Sequence, residues 1–135
     1  VTEETFMRHL LLPALLVCAA PALAAEVTQP LVCGLVDVFD CSRSECTEVN
    51  SEVVGVPDLV RVDPGKKTLR ALDAEFDDTA EPLESVTSDA ERTAVRARSG
   101  DRTLVLVIEK ASGDAMMTVS DHKLTLVAFG ECGKP

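Results

Sequence analysis

The stretch Arg102–Glu109 sets Leu104, Leu106 and Ile108 on one parity and Val105 and Val107 on the other, between Ser99-Gly100-Asp101 and Ala111-Ser112-Gly113-Asp114. Side chains alternate across a strand, so a branched apolar run bounded by turn residues reads as a strand with apolar residues on both faces. A strand of that kind belongs at the centre of a sheet, covered on each side.

The same punctuation recurs along the chain. Leu31–Phe39 places Val32, Val36 and Val38 on one parity and Cys33, Leu35 and Phe39 on the other, a first strand that the polar loop Asp40–Cys46 interrupts. The polar residues Thr47–Glu52 lead into Val53–Pro57, an edge segment or packed loop, because Pro57 cannot donate to a ladder. Leu59–Asp63 and Thr68–Leu72 flank Asp63-Pro64-Gly65-Lys66, where Pro at the second turn position and Gly at the third predict a type II turn. Asp73–Glu84 is acidic around Phe76 and reads as a solvated connection, with a short extra strand near Leu83–Thr87. Ala115–Val119 is a further strand whose Met116 and Met117 must face opposite sides. Ser120-Asp121-His122-Lys123 then turns the chain into a last strand, Leu124–Phe129.

One segment reads two ways. Ser88-Asp89-Ala90-Glu91 matches a capping box and Gly100 would close a helix over 89–98. Against that, Thr93, Val95 and Ala97 alternate with Arg92, Ala94, Arg96 and Arg98, and the strand is the preferred reading.

Successive strands joined by short turns make antiparallel neighbours in sequence order. The expected fold is therefore all-β: a single small antiparallel meander of about six to eight strands, curled into a strongly twisted sheet or a small barrel. Residues 25–135 are of ordinary single-domain size, and no Pro/Ser/Gly linker divides them.

Residues 7–24 have the pattern of an export signal. Arg8 and His9 precede the uncharged run Leu10–Ala20, and Ala22-x-Ala24 supplies small residues for cleavage after Ala24 or Ala25. The apolar stretch is shorter than the roughly 20 residues of a spanning helix, so no membrane span is expected. Val1–Phe6 carries Glu3 and Glu4, unlike a basic leader, and synthesis is expected to begin at Met7. Cys18 follows Val17, which is too large for a lipidation site, and is expected to be discarded with the signal.

Cys33, Cys41, Cys46 and Cys132 remain, an even number that reads as two disulfides in an exported chain. Three pairings are open. The preferred one joins Cys41 to Cys46 across a local loop and Cys33 to Cys132 across the whole domain, sealing the two edges of the sheet. A zinc site is the rival, but Cys33-x7-Cys41-x4-Cys46 lacks the close pairs of structural sites, and only His122 is available to supplement it.

Setting aside Arg8, Glu3 and Glu4 from 13 basic and 23 acidic residues leaves 12 and 21, a net charge of −9. A field of that sign repels phosphate backbones, which excludes nucleic acid as a partner. Arg92, Arg96, Arg98 and Arg102 form the one basic concentration. On a strand the first three share a face and Arg102 lies across the next turn, a patch for an acidic ligand or partner, or else for cross-strand pairing with the many carboxylates.

Catalytic patterns are sparse. His122 stands beside Asp121 in a turn, and neither Ser112 nor Ser120 sits in a Gly-x-Ser-x-Gly elbow. The acids of 73–84 do not match a calcium loop, and Phe39, Phe76 and Phe129 are the mature chain's aromatics, without the Trp or Tyr of a sugar platform. No cofactor signature is present. Met116 and Met117 suit an apolar pocket as well as a core.

The leader, the early pair Cys41 and Cys46, the turn Asp63-Pro64-Gly65, the strand and turn Leu104–Gly113 and the ending Gly130-Glu131-Cys132 together resemble a loose group of small uncharacterised exported proteins of Gram-negative bacteria, particularly alphaproteobacteria. The resemblance implies a periplasmic or secreted location and carries no activity. The preferred functional expectation is a non-enzymatic periplasmic binding or interaction module for a protein or a small apolar or acidic ligand. The alternatives are a small hydrolase with an unrecognised site and a structural envelope-associated protein.

Overall fold

The computed structural model of the chain describes residues 29–73, 75–76 and 80–135; the expected leader at 7–24 lies outside them. Strand β1 (Leu31–Cys41) turns into the short β2 (Cys46–Glu48), and one helical turn, α1 (Ser51–Val54), follows. Then come β3 (Leu59–Asp63), β4 (Thr68–Ala71), β5 (Glu81–Ser88), β6 (Arg92–Ser99), β7 (Arg102–Glu109), β8 (Asp114–Ser120) and β9 (Thr125–Gly133). Every pairing is antiparallel, the order from β3 to β9 follows the sequence, and β9 returns to pair with β1. The meander is thus an eight-stranded barrel, with β2 a hairpin arm on the end of β1. Closure removes the sheet edges that an open meander would expose.

The interior is filled by the inward parity of each strand. Leu35, Val60, Val62, Val95, Leu106, Met117 and Leu126 are at most 2% exposed. Burying an aliphatic side chain of this size contributes about 1.5–3 kcal/mol, which makes these layers the main source of stability. Met117 is in the core and Met116 points outward, as alternation requires.

Several local expectations are corrected. In β1, Cys33, Leu35 and Val38 face inward, so Val36 and Val38 do not share a face. A bulge between Leu35 and Asp37 absorbs one residue, resets the parity and leaves Val36 79% exposed. The 63–66 turn is not type II. Asp63 pairs with Thr68 across a four-residue loop, Lys66 N–H donates to Asp63 Oδ1 at 3.0 Å, and the left-handed residue is Lys67 (φ 53°) rather than Gly65. The positive φ of this loop thus falls on its last residue and not on its glycine.

The 53–57 region combines a capped helical turn with a packed loop. Asn50 Oδ1 accepts from Glu52 N–H at 2.9 Å, Gly55 ends the turn at φ 69°, and Val56 drops into the core at 2% exposure. Residues 92–99 form a strand. Asp89 Oδ1 accepts from Glu91 and Arg92 N–H at 2.8 and 2.7 Å, so the residue that would cap a helix instead closes the β5–β6 turn.

The last strand runs beyond Phe129 to Gly133, which puts Cys132 opposite Cys33 within the β1–β9 ladder. Both expected cysteine pairs, Cys33–Cys132 and Cys41–Cys46, are joined. Finally, β7 is covered on one face only. Leu106 and Ile108 are in the core, while Val105 and Val107 lie half-buried among neighbouring side chains on the outside of the barrel, since a barrel wall has no second layer.

Candidate functional site

Following each inward row toward one end of the barrel leads from apolar to polar residues. On β7 the row Ile108, Leu106, Leu104 ends at Arg102; on β5 Leu83 is followed by Glu81; on β6 Val95 and Ala97 are followed by Ser99. On β8 the row Met117, Val119 continues to Asp121 in the turn. The register gathers these row ends at one mouth, with Ser99 opposite Arg102, Leu69 opposite Glu81 and Thr103 opposite Ser120.

Between them and the Gly55–Pro57 loop lies a cavity of about 350 Å³. Val56, Leu69, Phe76, Leu104 and Val119 give it apolar walls, and Glu81, Ser99 and Arg102 are its polar groups. A volume of this order with few polar groups on apolar walls is that of a small-molecule pocket, and the mouth of a small barrel is a usual place for one.

Each polar group is held. Asp121 Oδ1 accepts from Lys123 and Leu124 N–H at 2.7 and 2.9 Å, and these two bonds, ahead of the Arg102 and His122 charges, hold its carboxyl below the usual range. Its Oδ2 lies 3.6 Å from Arg102 Nε. The guanidinium extends over Gly55, where a Cβ would stand 3.9 Å from Nη1. Glu81 Oε1 accepts from Ser99 Oγ at 3.0 Å, tying β5 to β6 at the rim.

The four arginines do not form one patch. Arg92, Arg96 and Arg98 are on the outer face of β6, exposed and paired: Arg92 Nε with Glu109 Oε1 at 2.5 Å, Arg96 and Arg98 with the two oxygens of Glu84 at 3.0 and 3.1 Å. The bond to Glu109 raises Arg92 above the ordinary guanidinium value. A bulge between Leu83 and Ser85 presents Glu84 to both of its partners. Arg102 alone is on an inward row. Its closeness to Arg98 in sequence conceals that the β6–β7 turn transfers the chain from one parity to the other. Glu81 and Ser99 carry no local signal of their own, and only the parity of Leu83 and Ala97 identifies them as mouth residues.

His122 is on the exposed β8–β9 turn with Nδ1 3.8 Å from Asp101 Oδ2, and Ser112 Oγ donates to Asp114 Oδ2 at 2.8 Å on the opposite end of the barrel. Asp73 Oδ2 accepts from Asp58 and Leu59 N–H, fastening the acidic connection to the start of β3, while Asp77 and Asp78 lie outside the described residues. Among the described residues no group of three His, Cys, Asp or Glu side chains is placed to hold a metal, and no helix is long and apolar enough to cross a membrane. The two cysteine pairs are compatible with an oxidising, exported location.

No family model, curated protein or solved structure matches this chain.

Proposed function

We propose that the chain is an exported, non-enzymatic binding module that takes a small molecule into the mouth of its barrel. The observation that carries this reading is the 350 Å³ apolar cavity in which the inward rows end at Arg102, Glu81 and Ser99. The barrel interior below is packed with side chains, so the mouth is where a ligand gains apolar contact without displacing the core. A periplasmic or secreted location fits the leader at 7–24, the cysteine pairs and the resemblance to exported Gram-negative proteins. The acidic-ligand version draws less support, because each of the four arginines already faces a carboxylate.

Native mass spectrometry of the full chain after periplasm-directed expression tests the reading. The expected spectrum shows a mass reduced by four hydrogens for two disulfides, together with a non-covalent adduct that is lost in Ala71→Trp, where an indole fills the cavity wall. A ligand-free chain whose melting temperature is unmoved by small apolar alcohols and amines overturns it.

A further inference from the structure

The charged groups at the mouth are unequally paired. Arg102 is committed to Asp121, and Asp121 is held ionised by two backbone N–H groups, so the pair carries no net charge. Glu81 is different. Among the described residues its partner is the neutral hydroxyl of Ser99, and no cation there lies within ion-pair distance of it.

A carboxylate on the wall of an apolar cavity, bonded to a hydroxyl but without a countercharge, is poorly compensated once a ligand excludes water. A cation relieves that cost and an anion adds to it. The surroundings act in the same direction. Asp58, Asp73 and Asp101 stand at this end of the barrel against Lys123 and His122 of the β8–β9 turn, and the chain's net charge is −10, so the long-range field draws cations toward the mouth.

Resting on the mouth-binding reading above, we propose that the ligand is a small apolar amine. Its ammonium sits on Glu81, and its body lies against Leu69, Phe76, Leu104 and Val119. Arg102, with Asp121 behind it, serves as a wall of the pocket and as a barrier to amines that would bind in the reverse orientation.

Three probes of one skeleton separate the possibilities: phenethylamine, phenethyl alcohol and phenylpropionate, titrated calorimetrically into the full oxidised chain at low and high salt. The expected result is that the amine binds at least about tenfold more tightly than the alcohol, as a charge-assisted hydrogen bond requires, and that the advantage shrinks with salt. Glu81→Gln keeps an oxygen for the Ser99 hydroxyl and is expected to bring the amine down to the level of the alcohol, with an unchanged melting temperature as the check on folding. Equal binding of amine and alcohol by the unmutated chain overturns the charge assignment and leaves the mouth reading standing. Preference for the carboxylate overturns it in favour of Arg102 as the anchor. Binding of none of the three overturns both readings together.

Discussion

A Cβ built on Gly130 would stand 1.7 Å from the carbonyl oxygen of Gly34, the point at which β9 closes against β1. The bulge at Val36 brings the two backbones together there, with Gly130 opposite Leu35 in the register. Neither backbone can yield without opening the seam. Gly130→Ala is expected to lower stability by about 3 kcal/mol, the upper end of the ordinary overpacking range, measured by urea unfolding. Gly133→Ala, three residues on and with nothing near its Cβ position, is the control and is expected to stay within about 0.5 kcal/mol.

The two disulfides are expected to contribute unequally. Cys33 and Cys132 are 99 residues apart, and loop-closure entropy assigns a bridge of that span about 4.7 kcal/mol, against about 2 kcal/mol for the five-residue separation of Cys41 and Cys46. Replacing both cysteines of each pair by Ala and measuring the unfolding midpoint checks the order. A larger loss from the Cys41–Cys46 pair would show that the local hairpin, not closure of the barrel, limits stability.

Much of this was readable from alternation alone, because a barrel wall has one dry face and its period of two survives in Val95–Ala97, Leu104–Ile108 and Ala115–Val119. The cysteines pointed to a seam between Cys33 and Cys132 but left a twisted sheet and a barrel open, since the close approach of Gly130 to Gly34, almost 100 positions earlier, leaves no local signal. The bulges at Val36 and Glu84 were also hidden, for a bulge breaks the very period by which strands are recognised. The mouth suffered most. Arg102 looked like a member of a basic cluster because one turn separates it from Arg98, and Glu81 looked like part of a solvated acidic run. Only the assembled register assigns both to the inner wall.

Acid is expected to loosen the turns at the two ends of the barrel before the core. Asp121 has its carboxyl held below the ordinary value by Lys123 and Leu124 N–H, and Asp89 by Arg92 and Glu91 N–H. A group with a depressed folded-state value contributes its full stabilisation above the unfolded value of about 3.9 and loses it as pH falls through the folded one. Stability should therefore be level near neutrality and decline below about pH 4. Asp121→Asn keeps an oxygen for the two N–H groups but removes the charge, so its unfolding midpoint should vary less between about pH 5 and pH 2 than that of the unmutated chain. An identical acid dependence in the variant would exclude Asp121 as a source of the decline.

The outer ion pairs should matter little. Arg96 and Arg98 share Glu84, but all three side chains are more than one-third exposed, where solvent screens the attraction. Glu84→Gln is expected to change stability by less than about 1 kcal/mol and to leave small-molecule binding at the mouth untouched. Loss of binding in this variant would mean that the outer face of β6, and not the inner wall, forms the site.

Met116 and Met117 offer the sharpest check on which face of the wall is inside. They are adjacent in β8, share one local backbone, and differ in direction: Met117 is fully buried against the core, and Met116 is 40% exposed opposite Val107 and Phe129. Truncating the first removes packing atoms from a filled interior and leaves a cavity behind; truncating the second removes part of a solvent-facing contact. Met117→Ala is expected to cost about 2–5 kcal/mol and Met116→Ala less than about 1 kcal/mol, by urea unfolding under identical conditions. Because strand propensity and sequence neighbourhood are shared, the difference between the two isolates the direction of the side chain. Equal costs would require Met116 to be covered in solution, and would identify the outer stripe Val107–Met116–Phe129 as a contact surface rather than a free wall.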